Sequence, residues 1–460
     1  MFARLASLFK GSGTKRSLDA ASTGARWPDA PRARAGLQIS STIISGRAEH
    51  YALNNAHGTK IVQSLRHSLV GTGIVPRPQH PVDVVRERLR REWSVYVDSA
   101  DAEGLADLYG LEASAAGDLA TYGEALFAIE RDGATGAPQL LRLHPEQLDR
   151  SKIGNTGDGG CVVQGVEFGP DGRRKAYWVC PKAPGNVLAG LLLAPQRRPA
   201  STIIHIFRPL IPGQVRGLSW FAPVLLPARE LEQLYDALLV KAKVSAMYVG
   251  SMVDADGAGP GMDGDQEGTK LDTSVEPGSV RIEAPGKRIE WNEPPTSGDA
   301  PVLATETLRM MAAGVGVTYE QLTGDYSKVN YSSARAALLE FRRFCESVQH
   351  HTLIFQLCRP VWQQFIRWQI LKGTISATAY RADPAAFEAV KWLPPAWSWV
   401  DPLKDTNAAV TAIKNGLRSR SDVVAEQGYD IEDLDREIAA DQAREQRLGT
   451  TSTAGGQNAA

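Results

Sequence analysis

Two helix-spaced apolar stripes enclosing a polar segment, over residues 300–372, constrain the fold of this chain more than any other feature. Ahead of the segment, Pro301 is followed by Val302, Leu303, Leu308, Met311, Ala312 and Val315, spaced mostly in threes and fours. Beyond it, Ala334, Leu338, Phe341, Cys345, Val348, Thr352, Phe355, Trp362 and Phe365 carry a stripe on. That spacing places each set on one face of an α-helix, and proline suits a first turn because its missing N–H has no partner to lose there. The pattern predicts one helix ending near Gly314, a polar loop over 318–332, and a long helix over 333–372, capped by Ser332 or Ser333 and kinked at Pro360. The loop holds Tyr319, Tyr326, Ser327, Lys328, Asn330 and Tyr331 but neither His nor Cys, which makes it a surface for contact and not for bond-making.

The rest of the chain supplies what those helices pack against. At 460 residues it has room for roughly three domains of about 150 residues each. A helix is expected over 47–70, ending at Gly71-Thr-Gly, which lacks the Lys-Ser/Thr of a phosphate loop and reads as a helix C-terminus. A second, solvated on one side, covers 82–97 around Val85, Leu89 and Trp93, and a third covers 105–122. Short apolar runs at 123–130, 139–143, 165–168, 175–179 and 202–207, separated by turn signals, read as strands of an antiparallel sheet, so the class is α+β. A long helix then runs to about Val249, with Pro223 and Pro227 able to start or kink it. It leads into a Gly- and Asp-rich insert with short strands at 279–282 and 288–291. The Trp-rich stretch 391–404 is interrupted by prolines and is expected to be extended, followed by helices over 406–415 and 421–447. Between Asp422 and Arg447 there are nine acids and three arginines.

Charge and chemistry exclude several classes of function. A formal net charge of −1 provides no overall basic field for a tight nucleic-acid binder, though it suits a protein past which DNA slides. The long helix carries Arg335, Arg342, Arg343, Arg359, Arg367 and Lys372 against Glu340 and Glu346, a solvated face or one turned to DNA or an acidic neighbour. Cys161, Cys180, Cys345 and Cys358 have no metal-ligand spacing and read as small buried apolar residues in a reducing compartment. The Asp-rich insert lacks the closing Glu of a calcium loop. No apolar run reaches the roughly 18 residues of a membrane span; the greasiest, 187–194, is too short, so the chain is expected to be soluble. The first ten residues form a basic amphipathic arm without a signal-peptide core. There is no nucleophile elbow, no zinc-protease motif and no dinucleotide fingerprint. No catalytic, cofactor-binding or metal-ligating residue is assigned.

Four motifs, in order, resemble the lambda-type portal proteins of tailed bacteriophages over roughly residues 35–430. They are Leu69-Val-Gly-Thr-Gly-Ile; His205-Ile-Phe-Arg-Pro with Pro212-Gly-Gln-Val-Arg-Gly-Leu-Ser; Gly314-Val-Gly-Val-Thr-Tyr-Glu-Gln-Leu-Thr-Gly-Asp-Tyr-Ser with Asn330-Tyr-Ser-Ser-Ala-Arg; and Val400-Asp-Pro-Leu-Lys. The resemblance implies a homo-oligomeric, typically dodecameric ring at one capsid vertex, assembled in the host cytoplasm and retained in the virion. Double-stranded DNA would enter and leave through its channel. Its implied partners are the terminase large subunit, head-completion and connector proteins, and the major capsid protein, with no membrane. Carried onto this numbering, it implies a mobile arm (1–45), a wing (46–217), a stem helix (218–249), a clip (250–298) and a second stem helix (299–317). A tunnel loop (318–332), a long kinked helix with wing return (333–400), crown helices (401–448) and a disordered tail (449–460) complete it. Tyr326, Ser327, Lys328, Asn330 and Tyr331 would then face the channel. The competing readings are a connector adaptor that is not a portal and a nucleic-acid-processing enzyme.

Overall fold

Helix α1 (Ala33–Asn54) and helix α2 (Ala56–Leu69) stand where one helix was expected, and Asn55 is the cause of the break. Its side chain accepts hydrogen bonds from the backbone N–H groups of His57 and Gly58, so it caps α2 and ends α1. The computed structural model describes residues 33–181, 194–247, 251–254, 287–290, 299–327, 329–397 and 402–448. Residues 33–45, read as part of a mobile arm, are therefore helical, and the rest of that arm lies outside the described residues. Past α2 the Gly71-Thr-Gly turn is a helix end, the Gly71 N–H returning to the Arg66 carbonyl at 3.2 Å.

Strand β1 (Val75–Pro78) leads to α3 (Asp83–Val97), which buries Leu89, Trp93, Tyr96 and Val97. Helix α4 (Leu108–Thr121) begins later than its apolar pattern suggests. The carboxylate of Asp101 accepts from the N–H groups of Glu103, Leu105 and Ala106 at 2.8–3.0 Å, which holds the preceding residues in a turn until Asp107 caps the helix. Eight strands follow: β2 (Glu124–Arg131), β3 (Pro138–Leu143), β4 (Gly154–Asn155), β5 (Cys161–Val163), β6 (Val166–Phe168), β7 (Arg174–Val179), β8 (Gln196–Pro199) and β9 (Ile203–Phe207). They form two antiparallel sheets, not one: β3-β2-β9 and β4-β5-β6-β7-β8. Strand β2 is the shared wall. Its Ala125 and Phe127 pack into the main helical core, while Leu126 and Ala128 join a second core with Leu143, Leu148, Val166, Tyr177, Val179 and Ile203. A strand covered on both faces loses polar alternation, which is why 124–129 reads as a nearly continuous apolar run.

Helix α5 (Leu225–Met247) precedes β10 (Ser251–Asp254) and β11 (Lys287–Glu290), which pair antiparallel at the base of the insert. The remainder of the insert, including the strand expected at 279–282, lies outside the described residues, as does most of the apolar run at 187–194. Helix α6 (Ala300–Val315) starts at its proline as predicted and ends at Gly316 in the left-handed conformation. A short α7 (Tyr319–Thr323) is followed by α8 (Tyr331–Val348), a π-helical stretch Gln349–Cys358, and α9 (Arg359–Leu371).

The kink assigned to Pro360 is thus an upstream widening of the helix. Proline lacks the N–H for an i−4 bond and its ring crowds that carbonyl; in the π stretch the bonds already reach back five residues, as from the Arg359 N–H to the Ile354 carbonyl. The wider turn rotates the stripe, so Ile354, Leu357 and Cys358 are buried while Phe355, assigned to the buried face, is 59% exposed.

Helices α10 (Ala377–Ala382) and α11 (Pro384–Glu388) lead to β12 (Val390–Leu393), which pairs with β1 and makes the first part of the Trp-rich segment extended, as predicted. The C-terminal part holds α12 (Pro402–Lys414), α13 (Arg420–Glu426) and α14 (Ile431–Leu448). The single helix expected over 421–447 is divided at Gly428, whose φ is +79°, and at Asp430, which accepts from the Glu432 N–H. The main core centres on Trp93, Tyr96, Trp362 and Phe365, with ring centroids 5.0–5.4 Å apart; such pairs contribute about 0.5–1.5 kcal/mol each beyond area burial. Cys345 and Cys358 are buried as expected, but Cys161, in β5, and Cys180, just past β7, are only half-buried, and all four are free thiols. The fold is α+β with antiparallel strands. No helix among the described residues is long and apolar enough to cross a membrane.

Candidate contact segment and the buried charges behind it

The segment between α6 and α8 is more ordered than a plain loop. Thr318 and Gln321 cap α7 reciprocally: the Thr318 hydroxyl accepts from the Gln321 N–H at 3.2 Å, and the Gln321 side-chain carbonyl accepts from the Thr318 N–H at 3.0 Å. Gly324, left-handed at φ +73°, ends that helix. Tyr319 and Glu320, counted as loop residues from sequence, are therefore helical, and the irregular part shrinks to 324–330. Buried Leu322 anchors the turn, and the Ser64 hydroxyl donates to the Gln321 carbonyl at 3.4 Å, tying α7 to α2.

The irregular part is stiffened by its own polar side chains. The Thr323 hydroxyl accepts from the Asp325 N–H at 3.1 Å, and the Asp325 carboxylate accepts from the Ser327 N–H at 2.9 Å. Asn330, not Ser332 or Ser333, caps α8: its side-chain oxygen accepts from the Ser333 N–H at 2.8 Å. Of the residues assigned to contact, Tyr326 is 65% exposed and Ser327 and Asn330 are exposed. The oxygen of Asn330 is committed to the cap, leaving its amide N–H groups for a ligand. Lys328 lies outside the described residues, and so does the side chain of Tyr331, whose backbone opens α8.

Two helices frame the segment. Gly314 lets α6 approach the start of α5, because a Cβ there would stand 2.5 Å from a methyl of Val224. Ala304, Leu308, Met311 and Ala312 of α6 are buried, as are Ala228 and Leu231 of α5. Large apolar residues stay exposed among charged ones on both helices: Leu226, Leu239 and Val240 on α5, and Val302, Leu303 and Met310 on α6. The basic series along the long helix is partly absorbed within the chain. Arg342 stacks over Trp397 at 5.3 Å, Arg359 over Phe355 at 5.6 Å, and the Lys372 ammonium pairs with Glu92 at 2.9 Å; Arg343 and Arg367 are exposed.

The motif around His205 and Arg216 is also absorbed, in a buried charge cluster that sequence reading did not assemble. Glu124, at the head of β2, accepts from Arg216 Nε and from the Gly217 N–H at 2.9 and 2.8 Å, with His205 Nε2 at 2.9 Å. Arg216 also donates to the Pro145 carbonyl at 2.7 Å, so the cluster ties β2 and β9 to the turn after β3 and to the chain at 216–217. Burial pushes the Glu124 carboxyl up, but Arg216 and His205 reverse this and hold it well below the usual carboxylate range. Burial lowers the His205 imidazole to about 4, against the pull of Glu124, so it is neutral at pH 7. Arg208, from the same motif, lies 5.4 Å from both Trp220 and Phe344 and joins the sheet exit to α8. The one signal in the sequence was a glutamate at the start of an apolar strand. Among the described residues no group of three or more His, Cys, Asp and Glu side chains is arranged to hold a metal ion.

Comparison with known proteins adds the family. Residues 21–349 match the model of the phage portal proteins of the lambda family. The chain is 27% identical over 425 residues to the probable portal protein of Halomonas phage phiHAP-1, covering 88% of this chain and 80% of that protein. It is 24% identical over 467 residues to portal protein B of Escherichia phage lambda, covering 91% and 86%. Among solved structures, a chain of the virion of a native gene transfer agent particle matches with a TM-score of 0.45 and 15% identity, covering 93% of this chain and 98% of that one. With a family match that spans well over half its length, the chain belongs to the lambda family of phage portal proteins.

Proposed function

We propose that copies of this chain close into a ring, dodecameric as the family resemblance implies, that occupies one vertex of the capsid and serves as the channel for packaging and ejecting double-stranded DNA. The observation that carries this reading is the set of exposed large apolar residues on α5 and α6, with Leu226 at 71% and Val302 at 63% exposure. Leaving such residues in water is unfavourable by about 25 cal/mol per Å² of apolar surface that a neighbour would otherwise cover. A neighbouring copy in a ring covers the same faces in every subunit, which a head-to-tail interface does without leaving a free end. The protein acts by shape and non-covalent contact and not as an enzyme.

In this reading the paired helices α5 and α6 are the stem, the insert between them is the clip that docks the terminase large subunit and later the head-completion proteins, and the wing meets the major capsid protein. Tyr326, Ser327, Lys328, Asn330 and Tyr331 face the passing duplex. Short polar side chains and aromatic hydroxyls offer weak, sequence-blind contacts, and weak contact is what sliding requires, because each strongly neutralised phosphate adds to affinity. Native mass spectrometry of the purified chain tests the ring: one closed oligomer is the expected result, and a monomer at every concentration sinks it. Shortening 325–329 tests the segment, with rings still forming while packaging or DNA retention fails; loss of the ring instead assigns the segment to assembly.

A further inference from the structure

The ribbon of β1 and β12 sets Arg77 directly opposite Lys391. Like charges facing each other across a strand pair repel unless anions cover them. Arg86 and Arg90 of α3 complete a group of four cations, and the acids that cover it come from one stretch of chain. Asp430 Oδ2 receives both Arg77 Nε at 2.9 Å and Arg90 Nη2 at 3.0 Å. Glu432 pairs with Arg90 at 2.9 Å and with Arg86 at 3.3 Å, and Asp422 pairs with Lys391 at 3.0 Å. Among the described residues of the body only Asp83 and Glu87 reach these arginines, at 2.5 Å to Arg86 and 3.8 Å to Arg90, and Glu87 also takes Arg436 of α14 at 3.0 Å. Helices α13 and α14 bury no residue. Val423, Val424, Ile431 and Leu434 are only half-buried, so the ion pairs supply much of what holds these helices to the body.

We propose that residues 420–435 are a carboxylate cover over a phosphate-binding patch formed by Arg77, Arg86, Arg90 and Lys391, and that the backbone of duplex DNA is the partner that displaces it. One carboxylate oxygen shared by two guanidinium groups occupies the place of a phosphate oxygen, and planar guanidinium forks match phosphate geometry. With the cover removed, four cations face two acids. With it in place the patch is neutralised and DNA is not retained there.

The test uses the full chain and two readouts. Hydrogen exchange of α14 quickens in D422N/D430N/E432Q, and quickens in the unsubstituted chain as NaCl rises, while α4 is unchanged. Fluorescence anisotropy with a labelled duplex shows the triple variant binding about tenfold more tightly than the unsubstituted chain at low salt. Adding R77Q/R90Q returns the affinity to its starting value and makes the log–log salt dependence shallower by roughly two. The proposal is overturned by unchanged exchange, by faster exchange without tighter DNA binding, or by a gain that survives R77Q/R90Q. It is equally overturned if polyglutamate displaces the duplex at equal charge, which makes the partner an acidic polypeptide.

Discussion

Glu112 keeps its proton at neutral pH. It is enclosed in α4, where Oε2 accepts from the Ile74 N–H at 2.9 Å and Oε1 lies 3.6 Å from the Cys358 thiol. Burial drives its carboxyl up to about 8, and the bonds from Ile74 and Cys358 pull it back only in part. The folded state therefore holds a proton that the unfolded chain has released above the ordinary carboxylate range. The stabilisation is complete at low pH and is lost as pH rises through about 8. Glu112→Gln keeps an acceptor for Ile74 without the charge. Urea unfolding at pH 5 and pH 9 should show it nearly neutral at the first and stabilising at the second, on the order of a few kcal/mol. Glu124 is the opposite case, a buried carboxylate held ionised by Arg216. Glu124→Gln leaves that guanidinium buried and unpaired, and the same measurement at pH 7 should show a loss of about 3–5 kcal/mol. Neither role was legible in the chain, because that of Glu112 comes from the burial the fold gives α4 and that of Glu124 from Arg216, 92 positions away.

The long helix shows what periodicity reports and what it misses. Spacing places the apolar stripe and the helix ends to within a few residues, since burial on one face of a helix leaves a period of about 3.6. It does not distinguish a π turn. Phe355 is the trace, a large apolar residue on the correct α-helical phase that points to solvent because the phase has changed. Two glutamine amides hold the wider turns to the body. Gln349 donates to the Leu69 carbonyl at 3.0 Å, and Gln356 exchanges two hydrogen bonds with the backbone of Phe207, at 2.9 and 3.0 Å. Residues seven apart share a face in an α-helix; here they reach different elements. Gln356→Ala should cost about 1–3 kcal/mol, since it leaves two groups of a strand end unsatisfied. Hydrogen exchange should quicken in 349–358 and stay unchanged in α8; uniform quickening would mean that the amide does not set the register. The segment before α8 was legible as polar and exposed, but its helical turn was not, because a capping box of five helical residues is too short to leave a period.

At the scale of the whole molecule, stability and assembly are linked. If ring neighbours cover α5 and α6, the melting temperature rises with protein concentration, as mass action requires of any folded state that associates. Val240→Glu combined with Leu303→Glu should remove that dependence while leaving far-ultraviolet circular dichroism unchanged; a melting temperature that never depended on concentration would count against the ring. The family and the α+β class were legible from ordered motifs and alternating elements, whereas the division into two sheets was not, since it turns on β2 facing a different core on each side. That strand gives Phe127 to one core and Leu126 to the other, and it is hydrogen-bonded along both edges, to β3 and β9. Neither core can melt without disturbing the strand that both share, so residues 124–207 should form one cooperative unit where their two sheets suggest two. Calorimetry should record a single endotherm for both sheets, and damage to the five-stranded sheet should be felt as a lowered barrier to opening the helical body.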